Sequence, residues 1–155
     1  MTVSTHGRDG AWRGLGELSY GISRRWDLAF AQAVTSDPVD GAVARLALDH
    51  PAARSALTLS MMVALADAVA ALSAWPGGLV VLSSTDPKAF CAGGYVPELV
   101  GALDRPEAAE AMARAMGVVL DALGALPAVS VAALDGLALG GGAELGLAAD
   151  LRGAS

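Results

Sequence analysis

From about position 42 the apolar residues fall into short runs and helical stripes separated by turn formers. Val43, Leu46 and Leu48, followed by His50-Pro51, predict a strand ended by proline. Thr58 is placed to cap a helix in which Met62, Leu65, Val69 and Leu72 recur at spacings of three and four and so share one face. Trp75-Pro76-Gly77-Gly78 ends that helix. Leu79-Val80-Val81-Leu82 is too short for a helix and rich in β-branched residues, which predicts a strand buried on both faces. A turn at Asp86-Pro87-Lys88 leads to Phe90-Cys91-Ala92-Gly93-Gly94, and Pro97 suits the start of a further helix. Pro106 opens a longer helix with Met112, Met116, Val119, Leu120 and Leu123 as its apolar stripe, a pattern expected of core residues. Pro127 ends it, Val129 to Leu134 predicts the next buried strand, and Asp135-Gly136 turns the chain into Leu137-Ala138-Leu139 and the run Gly140-Gly141-Gly142. Strands alternating with helices argue for parallel strands joined by helical crossovers, an α/β fold in layers.

Residues 1–41 show no sustained period and many glycines, so a poorly defined N-terminal extension with at most a helical turn or two is expected there, ahead of a core at 42–155. Ser23-Arg24-Arg25-Trp26 has the look of a twin-arginine export signal, but Asp27 and Gln32 interrupt the apolar segment such a signal needs.

Composition narrows the function classes. A chain of 155 residues with 54% hydrophobic and 17% charged content fills one packed core. A formal net charge of −6 and only ten Lys and Arg argue against a nucleic-acid surface, which needs a clustered basic face. Mean hydropathy is +0.51, yet the longest apolar region, Leu126 to Leu151, is cut by Pro127, Asp135 and Glu144, so no membrane span is expected. The single cysteine, Cys91, excludes an internal disulfide, reads as a small core residue, and suggests a reducing, cytoplasmic location. His6 and His50 have no partner pattern, and no metal set is foreseen.

The glycine run carries the candidate chemistry. Consecutive glycines between a strand and a helix let the backbone approach a ligand and offer bare N–H groups to a developing negative charge. Glu144 follows on the first helical turn, where it can serve as an acid/base carboxylate or simply complement the helix macrodipole.

Three segments taken in order, Leu48-Asp49-His50-Pro51-Ala52-Ala53-Arg54-Ser55-Ala56-Leu57, Lys88-Ala89-Phe90-Cys91-Ala92-Gly93-Gly94, and Asp135-Gly136 through Gly142-Ala143-Glu144-Leu145 with Ala149-Asp150-Leu151-Arg152 at the end, resemble the crotonase (enoyl-CoA hydratase/isomerase) superfamily from about Val43 to the last residue. The resemblance implies a ClpP/crotonase-like spiral of ββα units, of which this would be the N-terminal portion only. It further implies an acyl-CoA thioester as substrate, with coenzyme A part of that substrate and no separate cofactor, and homo-oligomers that are trimers or hexamers. Carried over by position, Gly94 and Gly141 match the two backbone donors of the family's oxyanion hole, and Glu144 matches one of the two glutamates that hydratases use. One such donor is typically worth ~3 kcal/mol. The stretch around Ala53, Arg54 and Ala56 matches the CoA-binding loop, with Ala92 beside it, and Arg54 or Lys88 could face a CoA phosphate.

The sequence departs from the family pattern at three places. Ser55 stands where Asn is common, and Gly94-Tyr95 stands where Ala-Asp is frequent, a combination closer to the aryl-CoA dehalogenase branch, although Tyr95 could equally pack. The family pattern continues past the position of Ser155 with a second catalytic carboxylate and covering helices, so this chain is expected to be a shortened form or a piece. Two functional classes remain open from sequence: an acyl-CoA enzyme, and a non-catalytic homologue that binds CoA or pairs with a complete paralogue. A serine hydrolase on the related spiral fold lacks a usable His after a candidate Ser.

Overall fold

Strands β2 (Val43–Leu48), β3 (Leu79–Ser84) and β5 (Val129–Leu134) are parallel neighbours, and their buried residues fall in rows across the sheet. Ala44 pairs with Val80 and Val80 with Ser130; Leu46 pairs with Leu82 and Leu82 with Ala132; all six are buried. The computed structural model describes residues 34–39, 43–75 and 78–155, the first of these segments as backbone. The twin-arginine-like stretch and His6 lie outside the described residues.

Helices α1 (Leu59–Leu72) and α3 (Pro106–Gly124) join the sheet in one core. Thr58 caps α1 as its sequence position predicts, its hydroxyl accepting from the Met61 amide at 3.1 Å. Met62, Leu65, Val69 and Leu72 are buried on α1, as are Met112, Val119 and Leu123 on α3, while Met116 and Leu120 are half-buried. Each fully buried side chain of this size contributes roughly 1.5–3 kcal/mol by leaving water.

Two expectations are corrected. The sheet begins inside the region read as an extension: β1 (Val34–Val39) pairs antiparallel with β2 from Val34↔Leu48 to Val39↔Val43. Asp37 and Pro38 interrupt the strand-like composition there, and a proline is tolerated because β1 is an edge in the order β1-β2-β3-β5-β7, the last of these being Leu151–Ala154. On β3, Val80 and Leu82 are buried but Leu79 and Val81 are only half-buried, so burial is one-sided.

Edge strand β7 (Leu151–Ala154) is exposed throughout. It is held to β5 by Asp150, whose carboxylate accepts from both the amide and the hydroxyl of buried Ser130 at 2.8 Å. Those bonds hold the Asp150 carboxyl below its ordinary range. A second, two-stranded sheet pairs β4 (Ala89–Cys91) with β6 (Leu137–Ala138) in parallel. Short helix α2 (Val96–Gly101) follows β4, and α4 (Gly141–Ala148) follows β6.

Candidate active site

Parallel pairing of β4 with β6 brings their C-terminal ends together, and both strands run into glycines. The Leu139 amide donates to the Cys91 carbonyl at 3.0 Å, which sets the two glycine turns side by side. Gly93 has φ +94°, and a Cβ there would lie 2.8 Å from the Leu139 carbonyl oxygen. Gly142 sits against β4 so closely that a Cβ would lie 2.4 Å from the Cys91 carbonyl oxygen. Glycine is therefore required for the approach itself as well as for the turn.

The segment after the turn at Pro51–Ala53 completes the arrangement. Leu57 forms an isolated parallel bridge with Gly94, its amide donating to Gly93 at 2.7 Å and its carbonyl accepting from Tyr95 at 2.8 Å. Those two bonds use the peptide groups on either side of Gly94. The Gly94 N–H donates to no group among the described residues, and neither does that of Gly141, which opens α4 where helical amides have no intrahelical acceptor. Both glycines line one cavity of about 680 Å³ together with Glu144. Leu57, Met62, Leu99, Met112 and Met116 contribute apolar walls. A Cβ at Gly94 would meet Leu99 at 3.1 Å, and one at Gly141 would meet Leu57 at 3.2 Å. Glu144 is exposed, and its amide bonds to the Gly140 carbonyl at 3.1 Å.

Gly94, Gly141 and Glu144 are thus brought together. Ala53, Arg54, Ala56, Lys88 and Ala92 do not line this cavity; they gather in a separate corner. Ala92 donates to the Arg54 carbonyl at 3.0 Å, and the Ala56 amide donates to Ala53 at 3.0 Å. Arg54 and Ser55 take left-handed backbone conformations with φ 55° and 52°, a region that favours Asn and Gly over most residues. Ser55 is fully buried, and its hydroxyl lies 2.7 Å from that of Ser84.

The corner is organised by Asp86, which sequence reasoning treated only as a turn residue. Its buried carboxylate accepts from the amides of Lys88 at 2.8 Å and Ala89 at 3.1 Å, and from the Arg54 guanidinium at 3.2 Å. The Lys88 amide bond, against the opposing effect of burial and with help from Arg54 and Ala89, holds Asp86 below the usual carboxylate range. Arg54 therefore has a structural partner, while its side chain stays 49% exposed and Lys88 is exposed.

Beyond Gly94 a second group escaped the sequence reading. The Glu98 carboxylate accepts from the Leu59 amide at 2.8 Å, tying α2 to the start of α1. Burial raises its pKa, partly offset by the Leu59 bond and the nearby His50. His50 is buried, with Nδ1 3.0 Å from the Ala56 carbonyl oxygen, and its ring meets Tyr95 edge-on at 5.3 Å. Tyr95 packs on His50 and is not among the residues lining the cavity. An Asp-Pro dipeptide is a recognisable signal for Asp86; nothing local marks Glu98, whose acceptor role spans 39 residues. Cys91 is fully buried and its thiol is pushed up to about 11 by desolvation, which keeps it protonated at neutral pH.

Comparison with known proteins meets this geometry. Residues 43–155 match the enoyl-CoA hydratase/isomerase family. Among curated proteins the chain is 33% identical to ethylmalonyl-CoA decarboxylase of Xenopus tropicalis, over 74% of this chain and 38% of that protein. It is 35% identical to human enoyl-CoA hydratase domain-containing protein 2, mitochondrial, over 73% and 38%. Among solved structures, an enoyl-CoA hydratase from Bacillus anthracis superposes with a TM-score of 0.74 at 28% identity, covering 79% of this chain and 47% of that one. The chain therefore spans about 38% of the length of these curated relatives and just under half of the solved structure. Relatives from human, cattle and mouse are named mitochondrial, which overturns the cytoplasmic expectation; a lone buried cysteine fits any compartment and could not decide the matter. With paired glycine turns, a carboxylate on the following helix and a sheet that superposes on a solved hydratase, this chain belongs to the enoyl-CoA hydratase/isomerase family, with the crotonase fold.

Proposed function

We propose that the chain acts on an acyl-CoA thioester, its Gly94 and Gly141 amides donating to the thioester oxygen while Glu144 moves a proton at the neighbouring carbon. The observation that carries this reading is the meeting of two amides without acceptors among the described residues and one carboxylate on a single apolar cavity. Removal of a proton from the α-carbon leaves an electron pair that delocalises onto the thioester oxygen, and donors aimed at that oxygen stabilise the enolate as it forms. Low dielectric within apolar walls strengthens both donor bonds. Arg54 and Lys88 supply positive charge in the corner proposed to receive the CoA phosphates, Lys88 with the freer side chain. Assembly into a homo-oligomer is part of the same proposal. Ethylmalonyl-CoA and methylglutaconyl-CoA, for which two of the relatives are named, carry a carboxylate on the acyl group, whereas the name of the human relative specifies no acyl group.

One observation favours a second reading, a binder without turnover. Glu144 is the only ionisable side chain among the described residues lining the cavity, whereas hydration needs an acid and a base on the two reacting carbons. Isothermal titration with an acyl-CoA and an assay of crotonyl-CoA hydration separate the two. Binding with turnover that Glu144→Gln abolishes supports the enzyme; binding without turnover leaves the binder; absence of binding removes both. Turnover that survives Glu144→Gln takes the proton-transfer role from Glu144.

A further inference from the structure

Short helix α2 has no buried side chain of its own, and six residues with a proline among them are too few to hold a helix unaided. Its place is therefore set by ties to its neighbours. At its start the Tyr95 amide donates to the Leu57 carbonyl at 2.8 Å and the Tyr95 ring meets that of buried His50, while just past its end Ala102 is buried. Between these points Glu98 is the one α2 side chain that, among the described residues, bonds to another element, accepting from the Leu59 amide at 2.8 Å. Leu59 is the first residue of α1, so its amide has no intrahelical acceptor. Residues 57–59 thus hold both sides of Gly94: Leu57 bonds to Gly93 and Tyr95, and Leu59 to Glu98. The neighbour of Glu98, Leu99, is the side chain a Cβ on Gly94 would meet first, at 3.1 Å, and it lines the cavity.

We infer, on the acyl-CoA reading above, that Glu98 is a positioning residue: by holding α2 to the start of α1 it fixes the direction of the Gly94 N–H and the Leu99 wall beside it. Glu98 itself does not line the cavity. Its effect passes through a donor whose bond to a thioester oxygen depends on alignment, and hydrogen bonds weaken steeply as the donor angle closes. What the arrangement requires at 98 is an acceptor oxygen rather than a charge, because the group it meets is a neutral amide.

The test reads the carbonyl stretching band of butanoyl-CoA, isotopically labelled at its thioester carbonyl carbon, by infrared difference spectroscopy with the full chain, since donors aimed at that oxygen lower the band. Titration calorimetry with butanoyl-CoA and with coenzyme A alone accompanies it. The native chain is expected to lower the band. Glu98→Ala should lose most of that lowering and bind butanoyl-CoA about three- to tenfold more weakly, with coenzyme A bound as before. Glu98→Gln keeps an acceptor oxygen and should match the native chain in both readings. Glu98→Asp keeps the charge but is one methylene short of the Leu59 amide, so it should behave as Glu98→Ala does, and it carries the test if Glu98→Ala does not fold. Full lowering in Glu98→Ala or Glu98→Asp, or its loss in Glu98→Gln, overturns the role of Glu98 and leaves the acyl-CoA reading standing. Butanoyl-CoA that binds the native chain without lowering of the band, or does not bind, removes the part given to the Gly94 amide and the inference with it.

Discussion

Adjacent glycines in the same run do different work. Gly142 is excluded from change by backbone and by the Cys91 side chain: a Cβ would lie 2.4 Å from the Cys91 carbonyl oxygen and 2.6 Å from its Cβ. Gly141 is bounded only by side-chain ends, Leu57 at 3.2 Å and Met116 at 3.5 Å. Gly142→Ala is therefore expected to cost about 1–3 kcal/mol in a urea titration, through displacement of α4 from β4. Gly141→Ala should cost less than Gly142→Ala, yet weaken acyl-CoA binding, because the new methyl enters the cavity. The reverse order of the two stabilities would mean that α4 is not seated by Gly142. The charged corner gives a second prediction at this scale. Asp86 has a folded pKa below its unfolded value of ~3.9, so between the two the unfolded chain binds more protons and stability rises with pH. That contribution is fully present above the unfolded value and is lost as pH falls through the folded one. Arg54→Ala removes one cause of the lowering, so the variant should be less stable than wild type at pH 7, by a margin that narrows as pH falls below the unfolded value. A stability gap constant across that range would place the role of Arg54 outside this ion pair.

Elements follow the residues according to how local their causes are. Strand β5 and the cap of α1 were legible because proline, β-branched runs and a threonine before an apolar stripe act within a few residues. Gly94, Gly141 and Glu144 were legible through family likeness, and their common cavity depends on β4 pairing with β6, a contact no local pattern announces. β1 escaped because its apolar content is interrupted by Asp37-Pro38 and its place is decided by the edge of β2. α2 was foreseen from Pro97, but its attachment was not. That attachment is Glu98, whose carboxylate meets the Leu59 amide at the start of α1. Because α2 also bears Leu99, which stands over Gly94, Glu98 positions one wall of the cavity. Its folded pKa is raised above the unfolded ~4.3, so its contribution is present at low pH and lost as pH rises through the folded value. Glu98→Gln keeps an acceptor oxygen and removes the half-buried charge, so it should match wild type near pH 4 and exceed it in stability at pH 7. Glu98→Ala leaves the Leu59 amide without its acceptor and is expected to cost about 1–3 kcal/mol at either pH, measured by urea titration. Equal stability of all three proteins at pH 7 would detach α2 from the start of α1.

At the scale of the whole molecule, burial is uneven. α1 and α3 cover the sheet on one side, while Leu137, Leu139, Leu147 and Leu151, on and around the last elements, are 52–70% exposed. Edge strand β7 offers backbone groups along one side as well, and such an edge beside apolar side chains invites another chain to pair or pack against it. Scattered exposed leucines need no explanation, but Leu151 on β7 itself and Leu147, whose carbonyl accepts from the Arg152 guanidinium at 3.3 Å, stand at the open edge. A net charge of −6 resists association only weakly, because charge at the surface is screened over ~8 Å at physiological ionic strength. Apolar attraction should therefore dominate once salt is present. Sedimentation velocity of the purified chain is expected to show mass-weighted association that grows with concentration and with added salt. Leu147→Glu combined with Leu151→Lys places charge on α4 and on β7 at positions that bury nothing, so the double variant should keep its fold and lose most of the association. Salt then gives the decisive contrast: if attraction between apolar faces drives assembly, raising salt strengthens it, whereas assembly held by ion pairs would weaken. A wild-type chain that stays monomeric at all concentrations, or a double variant that associates as strongly, would show that this edge is not the surface through which copies meet.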